Sequence, residues 1–292
     1  SELNKDLIDS AMKFGEPDVI AWYERPLIKK SRQLAAGQWT DCFALHDMPR
    51  RHIRKFGLGR FKLEYISHHE SHAAAGYFTS PFDDAVVIVL DAIGEWGTIS
   101  IGEYEGTKLK WLRSMTYPHS LGLLYTAFTQ RCGLKPNEEE YILMGMAAFG
   151  EAKYTDLIME EFIQGVDTEE GVRLKENVHL GIGDWNPGAK VVDIAASIQA
   201  VMESLLLDIV RLAAGLTMSR NLVLMGGVAL NCVANEKIAR FWSKYAGRDD
   251  AIWIMPNPGD GGSSLGAAAA VYGKHVNWQG PYLGTDINRC LD

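Results

Sequence analysis

Cysteine is scarce along the chain and never paired. Cys42, Cys132, Cys232 and Cys290 lie far apart, and no Cys-x-x-Cys occurs. That spacing points to free thiols in a reducing cytoplasm rather than to a disulfide framework. An excess of positive charge is also missing. The 29 Lys and Arg against 37 Asp and Glu leave a net charge of −8, so there is no basic field for non-specific nucleic-acid binding. No apolar run is long enough to span a bilayer, no secretory signal is visible at the first residues, and repeats and low-complexity tracts are absent. What remains is an ordinary globular composition: 292 residues, 47% hydrophobic, with 29 Gly. That length supports a full core and two lobes.

The most concentrated chemistry lies in Tyr65-Ile66-Ser67-His68-His69-Glu70-Ser71-His72, which holds three of the eight histidines. The stretch closes a strand-like run, Lys62 to Ile66, and opens a small-residue helix. On a helix His68 and His72 share one face, a geometry suited to two ligands on one metal ion. A helix start with solvated histidines fits the same residues. The metalloprotease pattern does not, because one residue too few separates Glu70 from His72.

Taken in order, Ser1 to Phe14 reads as a polar helix and Asp18 to Tyr23 as the first strand. Residues 27 to 57 carry Lys29, Lys30, Arg32, Arg50, Arg51, Arg54 and Lys55, and read as surface helices: a solvated face, or a site for an anionic ligand. Asp84 to Asp91 is a buried β-branched strand with Asp91 at its tip, followed by an acidic, Gly-rich turn and strands over Thr98–Tyr104 and Leu109–Met115. Residues 164 to 190 read as a polar excursion. The periodicity from Ile194 to Leu212 predicts a long core helix capped by Asp193. Two strand–glycine–helix units follow. In the first, Asn221–Met225 runs into Gly226-Gly227 and a helix from near Val228. In the second, Ala251–Met255 runs into the loop Pro256 to Ser264 and a helix from Leu265 to Tyr272. Such units cradle phosphates on helix amides, or simply allow tight packing. Asp260, near a helix start, either caps that helix or completes a metal site.

The set His68, His72, Asp91 and Asp260, with Gly226-Gly227-Val228-Ala229-Leu230-Asn231-Cys232, resembles the carbamoyltransferase family of nodulation-factor and antibiotic biosynthesis, from about residue 17 to 285. The resemblance implies an α/β fold of the actin-like ATPase class, close to the catalytic subunit of tRNA threonylcarbamoyl transferase. Mixed sheets would be flanked by helices, and the first subdomain would be incomplete. A first lobe over residues 1–190 would carry the histidines and Asp91, and a second over 191–292 the Gly-Gly loop and Asp260. Iron(II), with manganese or zinc as alternatives, would be held by His68, His72, Asp91 and Asp260. Carbamoyl-adenylate, derived from ATP, would lie across the metal with its nucleotide on Gly226, Gly227, Asn231, Gly259 and Asp260.

The implied reaction is cytoplasmic O-carbamoyl transfer to a small-molecule hydroxyl, with Asp91 taking part and His119 either in an acid–base role or as a structural histidine. Implied partners are the acceptor, a separate carbamoyl-adenylate-forming chain and a second copy in a homodimer, with no membrane or nucleic acid. Several departures stand out. The family's N-terminal hairpin, with its His-Asp-Ser-Ala-type turn, and its C-terminal domain are not seen. Ile142 replaces a family lysine, and Ala92 replaces a glycine. A tRNA threonylcarbamoyl-type transferase and a non-catalytic nucleotide-binding scaffold are the competing readings.

Overall fold

The computed structural model describes residues 5–44, 48–167 and 171–281. Cys290 and the end of the resemblance near Thr285 therefore lie outside the described residues. Cys42, Cys132 and Cys232 are unpaired thiols. The chain opens with α1 (Lys5–Met12), β1 (Val19–Tyr23), α2 (Pro26–Ala35), α3 (Trp39–Phe43), α4 (Pro49–Lys55) and β2 (Lys62–Ile66). Then come α5 (His68–Thr79), β3 (Asp84–Gly94), β4 (Gly97–Glu105), β5 (Lys108–Thr116), α6 (Leu121–Arg131) and α7 (Glu140–Met146). The remainder is α8 (Thr155–Phe162), β6 (Ile163–Asp167), β7 (Gly171–Leu174), α9 (Val191–Leu216), β8 (Leu222–Met225), α10 (Cys232–Ala246), β9 (Ile252–Trp253) and α11 (Ser263–Tyr272).

The architecture is α/β. A five-stranded sheet of order β5-β4-β3-β8-β9 is antiparallel across β5, β4 and β3, and parallel across β3, β8 and β9. The apolar run of β3 is explained by burial on both faces. Val86, Ile88 and Leu90 of β3 point into a core shared with α6 and α9, while Ala85, Val87 and Val89 point into a second core under α5 and α11. A two-stranded parallel pair, β1 with β2, lies beside it and aligns Tyr23 with Ile66. The lobe boundary expected at residue 190 falls between strands of one sheet, with β3, β4 and β5 before it and β8 and β9 after it.

Several local expectations change. Asp91 is not at a strand tip: β3 continues to Gly94 through an irregularity after Leu90. The segment 164–190 is not only an excursion, since it holds the β6–β7 hairpin and buries Val172, Leu174 and Val178 in the main core. Lys190, not Asp193, precedes the first turn of α9. Asp193 accepts hydrogen bonds from the Glu151 amide and from Lys153 Nζ at 2.9 and 3.1 Å, tying the loop after α7 to the helix. After Gly226-Gly227 the chain makes a 3-10 turn over Gly227–Leu230 before α10 begins. Arg32, expected on the surface, is 8% exposed and donates to the Glu95 carbonyl. No helix among the described residues is long and apolar enough to cross a membrane.

Candidate metal centre and the adjoining cavity

His68 and His72 are the first and fifth residues of α5, so helical spacing stacks them. Their ring centroids are 4.8 Å apart and their Nε2 atoms 3.1 Å apart. Asp91 enters from β3. Its Oδ2 lies 2.8 Å from His68 Nε2 and 3.6 Å from His72 Nε2, while its Oδ1 accepts the Ala92 amide at 2.8 Å. Asp260 comes from the turn ahead of α11, with Oδ1 3.3 Å from both Nε2 atoms. All four donor atoms fall within 4.8 Å of one another. The fold thus brings together His68, His72, Asp91 and Asp260 from three separate segments.

Their electrostatics follow from that proximity. Burial pushes the His68 imidazole down, but hydrogen bonds to Asp260, Asp91 and Glu24 outweigh it, and the ring is held well above its usual range. Burial would raise Asp91, yet the two imidazoles hold it well below the ordinary carboxylate range. Hydrogen bonds from His68 and His72 lower Asp260 as well. Without an ion the cluster is therefore a set of imidazole–carboxylate pairs, and a cation would displace their protons.

The donor spacing suits one ion. Bonds of about 2.1 Å put two donors about 3.0 Å apart at right angles and about 3.4 Å apart at the tetrahedral angle. The five contacts that involve an imidazole run from 2.8 to 3.6 Å. Two imidazoles with two carboxylates match iron(II), manganese or zinc. His68, His72 and Asp91 are buried, whereas the Asp260 side chain is 63% exposed, leaving one open side.

That side faces a cavity of about 440 Å³, lined in part by Asp91, Gly227, Asn231, Gly259 and Asp260. Gly226 lies beneath it rather than on it. Its φ of +94° and a built Cβ only 2.1 Å from the Leu90 carbonyl explain why no other residue fits there. Asn231 lines the wall, but its side chain is committed to protein partners. Its Oδ1 accepts from the Ala234 amide, capping α10, and its amide exchanges bonds with Gln199 at 2.9 and 3.1 Å. Asn231→Ala is expected to cost about 1–2 kcal/mol in urea or thermal unfolding, the cost of a lost cap. An unchanged midpoint would contradict that role.

His119 is not brought to the cluster. Its Nδ1 accepts the Leu174 amide at 3.3 Å, and the ring lines a separate cavity of about 280 Å³ with Arg113, Ser114 and Thr116. His69, between the two clustered histidines in sequence, is buried. Its Nδ1 lies 2.6 Å from Ser100 Oγ, and burial pushes the ring down to about 3.

Sequence reasoning missed the opposite cavity wall: Gly122 and Tyr125 of α6, Tyr141 and Met144 of α7, and Met202 of α9. It also missed Glu24, whose carboxylate lies 3.2 Å from His68 Nδ1. A signal for Glu24 is nonetheless present in the sequence. If the two strand-like runs ending at Tyr23 and Ile66 pair in parallel, the residues that follow them become neighbours.

The family described as Carbamoyltransferase N-terminus matches residues 51–269. An uncharacterized protein of Synechocystis is 34% identical over 94% of this chain and 50% of its own length. Nodulation protein NolNO of Sinorhizobium fredii is 28% identical over 77% of this chain and 35% of its own. The chain thus spans half or less of these curated relatives. Among solved structures, full-length HypF, crystallised in a phosphate- and nucleotide-bound form, superposes with a TM-score of 0.52 at 12% identity over 91% of this chain and 40% of its own, a likeness of fold. With the matched segment covering most of the sequence and all four clustered residues, the chain belongs to the carbamoyltransferase family and corresponds to its N-terminal region.

Proposed function

We propose that this chain is the transfer domain of an O-carbamoyltransferase, moving the carbamoyl group of carbamoyl-adenylate to a hydroxyl of a small-molecule acceptor at an iron(II) centre. The observation that carries the reading is the convergence of His68, His72, Asp91 and Asp260 beside a ligand-sized cavity whose wall includes the two aspartates, in a chain of this family. We also assign the fold to the actin-like ATPase class, on the support of a mixed sheet whose β3 and β8 ends bring Asp91 and the Gly226-Gly227 turn against one another.

The metal, held by His68, His72, Asp91 and Asp260, would supply Lewis-acid polarisation of the carbamoyl or phosphate oxygen. The chain's own residues select the rest. Among the described residues, Asp91, Glu138, Glu140 and Asp260 are the charged ones lining the cavity, and neither Lys nor Arg is with them. A triphosphate would meet only negative side chains, so an adenylate with one phosphate is the better occupant. Met144, Met202, Val228 and Leu230, with the ring of Tyr141, offer an apolar bed for the base. The backbone amides of Gly227 and Val228, at the start of the Gly227–Leu230 turn and on the cavity wall, would stabilise developing negative charge.

The test is direct. Iron(II)-loaded protein given carbamoyl-adenylate and a panel of sugar and polyol acceptors should release AMP in step with a carbamoylated product. It should form none from carbamoyl phosphate and ATP, because the adenylate is made elsewhere. AMP release that ignores both metal and acceptor would overturn the transfer reading.

A further inference from the structure

We infer that Glu24 is a positioning residue, which locks the His68 ring so that its Nε2 lone pair faces Asp91, Asp260 and His72. This rests on the metal reading of the centre and adds to it a residue outside the four donors. A neutral imidazole can carry its proton on either nitrogen, and only the bare nitrogen can coordinate. Glu24 Oε1, 3.2 Å from His68 Nδ1, accepts the hydrogen bond of a proton on Nδ1, so that once a cation displaces the other proton the bare nitrogen is Nε2. The contact lies on the side of the ring away from the other three donors, so Glu24 orients His68 without entering the cluster.

The chain goes to some length to hold Glu24 there. Its φ is +96°, a region where a side chain is strained and persists only when the surroundings fix it. Those surroundings are visible. The Glu24 amide donates to the Ile66 carbonyl at 2.8 Å, directly before the turn into α5. Arg25 is anchored on both sides: its amide and its guanidinium bond the Glu95 carboxylate at 2.6 and 2.5 Å. The second Glu24 oxygen is held by Lys29 Nζ at 2.7 Å. The carboxylate is thus fixed by β1 and α2 on one side and presented to α5 on the other. His72 has no equivalent among the described residues: the nearest hydroxyl, Ser263 Oγ, stands 3.4 Å from both of its ring nitrogens.

The experiment compares wild type, Glu24→Leu, Glu24→Gln and Lys29→Met in the full chain, each checked for folding by circular dichroism. Iron(II) affinity is read anaerobically against a chelating dye, and the His68 Nδ1–H signal is followed by histidine-labelled NMR in metal-free protein and with zinc(II). Glu24→Leu should weaken iron(II) binding about 10–100-fold and lose the slowly exchanging Nδ1–H signal. Glu24→Gln, which keeps an acceptor oxygen, should recover most of both, and Lys29→Met, which frees the second Glu24 oxygen but leaves the first beside Nδ1, should fall between wild type and Glu24→Leu. Unchanged affinity and an unchanged Nδ1–H signal in Glu24→Leu would overturn the inference. Wild type that keeps the protected Nδ1–H signal but binds no iron(II) would overturn the metal reading instead, with Glu24 still holding the ring.

Discussion

Asp91→Asn is expected to abolish stoichiometric metal binding while leaving the shape of the site almost unchanged. Asp91 is 8% exposed and lies between two imidazoles, with Oδ2 directed at both and Oδ1 satisfied by the Ala92 amide. The substitution keeps the volume but removes the charge, and it offers an amide NH₂ where a donor oxygen stood. Removing one partner from a buried charged set costs about 3–5 kcal/mol, which corresponds to a loss of affinity of about 100-fold or more. Metal content after anaerobic iron(II) loading and desalting is the measurement. Near-stoichiometric metal in wild type and almost none in the variant is the expected outcome, and equal content in both would remove Asp91 from the centre. The same substitution leaves His68 and His72 facing each other at 3.1 Å with Asp260 as the one remaining carboxylate of the cluster, so the metal-free variant should also unfold earlier.

Gly266→Ala should produce the largest loss of stability from a single methyl group. A Cβ at Gly266 would stand 1.8 Å from the Ser71 carbonyl and 2.9 Å from Ala75 Cβ, so α11 and α5 touch there backbone to backbone. A carbonyl within a helix cannot swing aside as a side-chain tip can, so the two helices must separate. Overpacking of this kind costs about 3 kcal/mol or more, a drop of about 5 °C or more in Tm for a chain of this size. Because α5 carries both histidines and α11 follows Asp260, iron(II) affinity should fall with it. Gly145→Ala is the matched control. That glycine lies in α7 with nothing within 4 Å of a built Cβ, and the change should be neutral or slightly stabilising. Equal melting temperatures for Gly266→Ala and wild type would refute the close-contact account.

Much of the site is legible in the amino-acid sequence, for reasons that differ from residue to residue. His68 and His72 sit four apart on a helix announced by Ala73-Ala74-Ala75-Gly76, and their meeting is a consequence of helix geometry alone. Asp91 is legible as a carboxylate at the end of an apolar run, although Gly94 and Gly97 disguise the continuing strand as a turn. The convergence of Asp260 with the other three depends on the family resemblance, since 169 positions separate it from Asp91 (260 − 91) and no local pattern bridges them.

What stays hidden has a common cause. The β6–β7 hairpin is short and carries Gly165 and Gly171, and packing against Met115 and α9 is what makes it part of the core. Asp193 has the chemistry of a cap, but its partners, Glu151 and Lys153, lie 42 and 40 residues away, so its role is set by tertiary contact. Asn231 is legible as a polar residue beside a glycine turn, while its hydrogen-bonded exchange with Gln199 of α9 is not. Glu24 combines both difficulties: a strained backbone that sequence does not advertise, and a neighbour 44 residues on.

The exposed Asp260 and the buried Asp91 have one further consequence, which concerns valence. With both imidazoles neutral, the donor set carries two negative charges, equal and opposite to those of a divalent ion. A centre assembled with such an ion would then be electrically neutral, the state in which an ion beside a buried helix start and a sheet costs least. A trivalent ion would leave one positive charge uncompensated within the pocket. In a metal centre of this kind, two carboxylates with two neutral imidazoles would set a preference for the +2 oxidation state by charge balance alone, independent of which element fills it.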